Sequence, residues 1–358
     1  MSKGMVSFIN HDQLNRCLLL LWMADIPACI IGGVGCGKTT AIEDLVKRLN
    51  KKEEFKEDSF ELWKIFLGLV DATEVGGVPF RDSDGILRYA PPSTLPYNSK
   101  KHGIIFGDEY DRAPPDVQNA FNQILLGREI HGNTISENAY VVLAMNGDSD
   151  RYTTPLSEAA RNRVCTLFLS SHAQGNLEQW DEWAKENKIN PTVRAFAHCR
   201  TDIIEKHEEF NELAIITPRS RDMAGRILDA AEKVRFETKD ILAPCLNGVI
   251  GAGAANELIQ FMRMEKELPK IETMLKDPES FASHEVFKKV DLTYMLAISV
   301  ASFAGLHKSQ AGKAIALMGY APPEIQVWAV KGIVEACPTA ASTEEYSEFF
   351  KNTQEMMI

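Results

Sequence analysis

The residues of this chain best equipped for chemistry lie in Gly32-Gly33-Val34-Gly35-Cys36-Gly37-Lys38-Thr39, which fits the G-x-x-x-x-G-K-[ST] pattern of a phosphate-binding loop. Glycine lets the backbone wrap closely enough for N–H groups to face phosphate oxygens, Lys38 adds a point charge, and Thr39 offers a hydroxyl to Mg²⁺. The implied ligand is a nucleoside triphosphate, held by Gly33, Val34, Gly35, Cys36, Gly37, Lys38, Thr39 and Thr40. The plainer explanation, a glycine-rich turn with an exposed lysine, weakens once the flanks are read. Pro27–Ile31 has the shape of a short buried strand, and after the loop Ile42, Leu45, Val46 and Leu49 repeat at helical spacing.

A second acidic centre follows downstream. Gly103-Ile104-Ile105-Phe106-Gly107-Asp108-Glu109 has the form of a Walker B motif, an apolar strand ending in two carboxylates. At the C-terminal end of such a strand Asp108 can help hold Mg²⁺, and Glu109 can polarise the water that attacks a γ-phosphate. Tyr140–Asn146 is a further buried strand with a polar end. Asn146 either orients that water and senses the γ-phosphate, or is a turn residue before Gly147. Arg161 and Arg163 close a short helix over Pro155–Arg163, as solvated charges or as a group reaching toward a neighbouring subunit's nucleotide. His131 has no adjacent acid and reads as a hairpin surface residue rather than a base. Cys36 reads as a small filler, with oxidation sensitivity as the alternative.

Other elements must position these groups. Asp12 can cap a helix running to Met23, with Leu14, Leu18 and Leu21 on one face, and residues 1–10 then come near the nucleotide base. Leu62–Leu69 has the bulk of a core strand, whereas Lys51–Asp58 reads as a solvated turn. Asp71–Tyr97, rich in Gly, Pro and Asp, predicts a functional loop or small hairpin. Pro114 and Pro115 open a helix over Asp116–Leu126, and Glu129–Thr134 turns back through Gly132-Asn133. Beyond the strand Val164–Leu169 the pattern turns helical, over Leu177–Lys188, Pro191–His198, Pro218–Phe236 and Ile241–Met264, with more after Asp291. Boundaries near His172 and Asp277-Pro278-Glu279-Ser280 give an α/β nucleotide-binding core over residues 1–172, a helical lid over 173–276 and a helical C-terminal extension over 277–358.

Composition narrows the class. A chain of 358 residues, 45% hydrophobic and 25% charged, has the make-up of a soluble globular protein. Its net charge of -11 argues against a surface built broadly for nucleic acid or anionic membrane and favours protein partners. The seven cysteines form no C-x-x-C pair and read as thiols in a reducing cytoplasm. The start lacks a signal-peptide pattern, and the apolar run Cys17–Met23 is too short to span a bilayer.

Taken together the chain resembles the AAA+ ATPases, and within them the MoxR-type branch. The resemblance rests on the phosphate loop, the insertion Asp71–Tyr97, and Asp108-Glu109-Tyr110-Asp111-Arg112-Ala113-Pro114-Pro115, which is similar to the family's D-E-x-N-R-A-P-P. It continues through Arg128–Asn146 and Pro155–Glu158, and covers about residues 10–235. The fold it implies is an α/β P-loop NTPase (AAA+) core, a parallel sheet, with an all-helical lid and a helical C-terminal region. The cofactors it implies are ATP and Mg²⁺, the metal bound through Thr39 and Asp108. Asn146 matches sensor 1; Arg163 matches the arginine finger, with Arg161 as second candidate; Arg219, in Thr217-Pro218-Arg219, matches sensor 2. Two departures stand out: Asp111 where the family carries Asn, and Arg161-Asn162-Arg163-Val164 where it carries L-D-R-F. The activity implied is ATP hydrolysis in a homo-oligomeric ring, a hexamer, that remodels a protein partner, such as a von Willebrand A domain protein. The rival is a nucleic-acid-dependent AAA+ motor or clamp-loader-like factor, and a third reading is a nucleotide switch that scarcely hydrolyses.

Overall fold

In the computed structural model, the structure describes residues 8–51, 60–146, 156–170, 176–201, 216–234 and 239–353. The first seven residues, most of the charged stretch after Lys51 and the boundary expected at His172 lie outside that set. Two compact units make up the chain, Met1–Trp180 and Asp181–Ile358.

The first unit is built on a six-stranded, all-parallel sheet: β1 (Phe8–Ile9), β10 (Cys165–Leu169), β2 (Ala28–Gly32), β9 (Ala139–Met145), β6 (Gly103–Asp108) and β3 (Glu61–Phe66), in that spatial order. Alternation along each strand sends successive residues to opposite faces, and two separate cores result. Ile30, Ile104, Phe106 and Val142 pack under α1 (His11–Met23) and α2 (Lys38–Leu49), through Leu14, Leu18, Ile42 and Leu45. Cys29, Ile105, Val141 and Leu143 face the other way, against Val117, Phe121 and Ile124 of α4 (Pro115–Gly127). Helices on both faces of a parallel sheet, with the glycine loop between β2 and α2, make this the α/β P-loop fold expected from the sequence.

Local chemistry fixes the ends. The cap of α1 is Asn10, not Asp12: the Asn10 side chain accepts from the Gln13 amide and Gln13 returns the bond, a capping box that leaves Asp12 in the first turn. The insertion Asp71–Tyr97 folds as a short helix, α3 (Ala72–Gly76), and an antiparallel hairpin of β4 (Val78–Arg81) and β5 (Leu87–Ala90). A second hairpin, β7 (Glu129–Ile130) and β8 (Asn133–Thr134), turns at His131-Gly132 rather than at Gly132-Asn133, both turn residues having positive φ. The edge strand β1 has no counterpart in the sequence reading.

The second unit is helical throughout its described residues. The segment expected as one helix over Ile241–Met264 is two, Lys239–Ile250 and Ala252–Arg263, because Gly251 adopts φ +81 between them. A buried polar cluster sits in this unit: Asp181 accepts from Arg194 Nε at 2.7 Å and from Trp328 Nε1 at 3.2 Å, with His198 Nε2 3.5 Å away. None of the seven cysteines is in a disulfide. Among the described residues no helix is long and apolar enough to cross a membrane.

Candidate nucleotide site

Because the sheet is parallel, β2, β9 and β6 present their C-terminal ends at one edge, and the polar residues that end them meet there. The chain leaves β2 into the glycine loop and enters α2 through Gly37, which has φ +92. No side chain caps α2, so its first amides face the loop and its positive end is open to an anion. Cys36 is 2% exposed and packs as a filler against Gly32. Val34 is exposed on the outer bend. Thr40 lies in the first turn of α2 and is half-buried.

Lys38 spends its three ammonium protons on the loop and its neighbour: the carbonyls of Gly32 at 2.8 Å and Gly33 at 3.0 Å, and Asn146 Oδ1 at 2.9 Å. Asn146 follows the last residue of β9, the strand between the loop strand and the acidic strand. On the other side of β9, Thr39 Oγ1 donates to Asp108 Oδ2 at 2.7 Å. Asp108 Oδ1 accepts the amide of Glu109 at 3.0 Å, which fixes the carboxylate at the strand's end.

Glu109 has a left-handed backbone, φ 55 and ψ 39, rare for a residue with a side chain and concentrated at functional positions. Its side chain stays about one-third exposed, with Arg112 Nη1 3.7 Å from Oε1. Two residues on, Asp111 is wholly buried; its Oδ2 accepts the backbone amide of Asn146 at 3.0 Å. Burial raises the Asp111 carboxyl above the usual carboxylate range, against the opposing pull of that amide and of the Lys38 charge.

A hard divalent cation fits the donor set. Thr39 and Asp108 supply a hydroxyl and a carboxylate in contact, all oxygen, and among the described residues no cluster of His, Cys, Asp and Glu forms a cage that would hold a metal without phosphate. Mg²⁺ uses few protein ligands and takes the rest from phosphate and water.

The remaining expected residues lie on other elements. Arg161 ends α5 (Glu158–Arg161), which Ser157 caps, and is exposed. Arg163 is half-buried, with its charge in the field of the Tyr110 phenol, itself raised by burial. Both precede β10, whose Cys165 pairs with Ala28 at the start of β2, whereas the glycine loop leaves the other end. Five residues of strand, about 17 Å, therefore separate the backbone at the start of β10 from the end at which the chain's own loop begins. Arg219 is exposed in the first turn of the helix Pro218–Lys233, in the second unit. His131 is exposed and stacks on Tyr89, ring centroids 3.8 Å apart.

Sequence reasoning missed two residues at this site. A Cβ on Gly37 would lie 2.9 Å from His11 Nε2, so the start of α1 packs on the loop. Asp111 was visible only as a departure from the D-E-x-N pattern, and nothing local marked it as the acceptor for Asn146.

No family model matches the chain, and no curated protein matches it. Among solved structures it is similar to a RuvB variant from Thermotoga maritima, at 14% identity over 76% of this chain and 75% of that one, TM-score 0.41. It is similar also to NtrX from Brucella abortus, at 12% identity over 92% and 69%, TM-score 0.41. A structure of that NtrX in complex with ADP gives 14% over 83% and 67%, again with a TM-score of 0.41. Likenesses at this level carry no assignment of activity.

Proposed function

We propose that this chain is a Mg²⁺-dependent ATPase of AAA+ type that works as a ring, a hexamer, and couples turnover to remodelling a protein partner in the manner of the MoxR-type branch. The observation that carries the reading is the meeting of Lys38, Thr39, Asp108, Glu109 and Asn146 at the C-terminal edge of three adjacent strands. In this reading the amides of the loop and of the first turn of α2 hold the phosphates. Lys38 exchanges its bonds to Gly32 and Gly33 for phosphate oxygens, and Asn146 stands beside it to sense the terminal phosphoryl group. Mg²⁺ at Thr39 and Asp108 would supply charge neutralisation on the phosphate oxygens. Glu109, presented by its left-handed turn and still open to solvent, accepts hydrogen bonds from the attacking water and orients it.

The distance of Arg161 and Arg163 from their own loop supports a finger that acts on a neighbouring subunit, and with it a ring. The hairpin β4–β5 supports a protein partner, such as one carrying a von Willebrand A domain, since it exposes Val78, Phe80, Ile86 and Leu87. Seven cysteines outside any disulfide support a reducing, cytoplasmic setting.

Steady-state ATP hydrolysis by Glu109→Gln tests the reading. The variant should bind ATP as the wild type does and lose about a hundredfold or more in kcat. A wild-type rate in Glu109→Gln overturns the role given to this side chain, and ATP binding by Lys38→Ala at wild-type affinity overturns the site.

A further inference from the structure

We propose that Asp111 is a positioning residue for nucleotide discrimination: its carboxylate braces the backbone amide of Asn146 and so fixes the side-chain carbonyl that holds Lys38. The inference rests on the nucleotide-site reading above and names the residue that sets its sensor.

Pairing between β6 and β9 runs out at Gly107 and Leu143, and pairing between β2 and β9 runs out at Ile31 and Met145. Asn146 therefore stands one residue past the ladder, where its amide has no strand to donate to. Asp111 Oδ2 supplies the acceptor at 3.0 Å, from the turn that follows the acidic strand. The Asn146 side chain then meets Lys38 at 2.9 Å. A chain of contacts runs from the Walker B turn through Asn146 to the lysine of the phosphate loop, and only its first link is a backbone bond.

The type of residue at position 111 sharpens the point. Asp111 is wholly buried, and its Oδ1 has no hydrogen-bond partner among the described residues. A buried carboxylate with one idle oxygen is costly, so its retention points to the one amide it accepts. What the acid provides is an acceptor of the right reach for one amide. Loss of that acceptor frees the peptide of Asn146 to rotate, and the side-chain carbonyl moves off the γ-phosphate position. Binding of ADP, which lacks that phosphate, draws on the loop amides and is spared.

The test measures ATP and ADP affinities and kcat for the full chain and for Asp111→Ala, Asp111→Asn, Asn146→Ala and the double variant Asp111→Ala/Asn146→Ala. Asp111→Ala should lower the preference for ATP over ADP and the kcat each by about tenfold, the scale of one buried hydrogen bond, with ADP affinity unchanged. Asp111→Asn, which keeps an acceptor oxygen, should restore both. The double variant should be no worse than Asn146→Ala, because the two residues act in series. If Asp111→Ala does not fold, Asp111→Ser, whose oxygen falls short of the amide, takes its place with the same expected losses.

The outcomes separate cleanly. Asp111→Ala with an unaltered ATP preference beside an impaired Asn146→Ala overturns the brace alone, as does an Asp111→Asn as impaired as Asp111→Ala. Equal weakening of ATP and ADP in Asp111→Ala also overturns it, since a general loosening of the fold would act that way. A wild type that binds neither nucleotide, or an Asn146→Ala with unchanged ATP preference, overturns the site reading and the brace with it.

Discussion

Thr39 Oγ1 lies 2.7 Å from Asp108 Oδ2, although 69 residues separate them in the chain. The hydroxyl spends its proton on the carboxylate, which leaves its own lone pairs to coordinate. Two hard oxygen donors in contact at the mouth of an uncapped helix suit a cation that arrives with phosphate. Asp108→Asn should therefore lose about tenfold in ATP affinity when Mg²⁺ is in excess and little when it is chelated, each lost charge-assisted contact contributing about 1.5 kcal/mol. Titration of ATP binding at fixed Mg²⁺ concentrations checks it. Identical Mg²⁺ dependence in the wild type and in Asp108→Asn would remove the metal from this pair.

The opposite edge of the sheet yields a different prediction. Arg161 and Arg163 precede β10, whose first residue pairs with the start of β2, at the end of these strands away from the loop. If one of them is supplied to a neighbour, its loss and the loss of Lys38 fall on different subunits' sites and can complement. At least one of Arg161→Ala and Arg163→Ala should reduce hydrolysis about a thousandfold as a pure protein. Mixing that variant with inactive Lys38→Ala should then recover activity at the sites formed between an intact loop and an intact finger. Full activity in both arginine variants, or no recovery on mixing, would place the stabilising cation elsewhere.

Much of this site could be read from the chain because its signals are local. The glycines and Lys38 sit in one run, and the apolar stretches before Asp108 and Asn146 announce buried strands with polar ends. What escaped depends on tertiary partners. Asn10 and Asp12 are both good caps, and only the reciprocal bond from Gln13 decides between them. Gly251 sits in an apolar helical pattern that runs through it unbroken, and its positive φ is a property of the packed chain. Phe8 and Ile9 are too few to carry a strand period; their pairing with Phe168 and Leu169 makes the strand. Asp111 follows two other charged residues and looks like part of a solvated turn, yet it is buried because the turn folds under the end of β9.

The second unit offers a prediction about acid. Burial alone would raise the Asp181 carboxyl, but the nearby His198 and the hydrogen-bonded Arg194, with their charges, outweigh it and hold the group well below the usual carboxylate range. A depressed pKa in the folded state means that the unfolded chain binds the proton more readily. The stability Asp181 contributes is thus complete above the unfolded carboxylate value, near about pH 4, and is lost as pH falls below that toward the folded value. Asp181→Asn leaves Arg194 buried beside a neutral partner and should cost about 3 kcal/mol at neutral pH. The gap in urea midpoint between wild type and variant should be present at pH 7 and narrow as the pH falls below about 4. A gap that fails to narrow below about pH 4, or that is absent at pH 7, would mean that Arg194 and His198 do not stabilise the ionised form of Asp181.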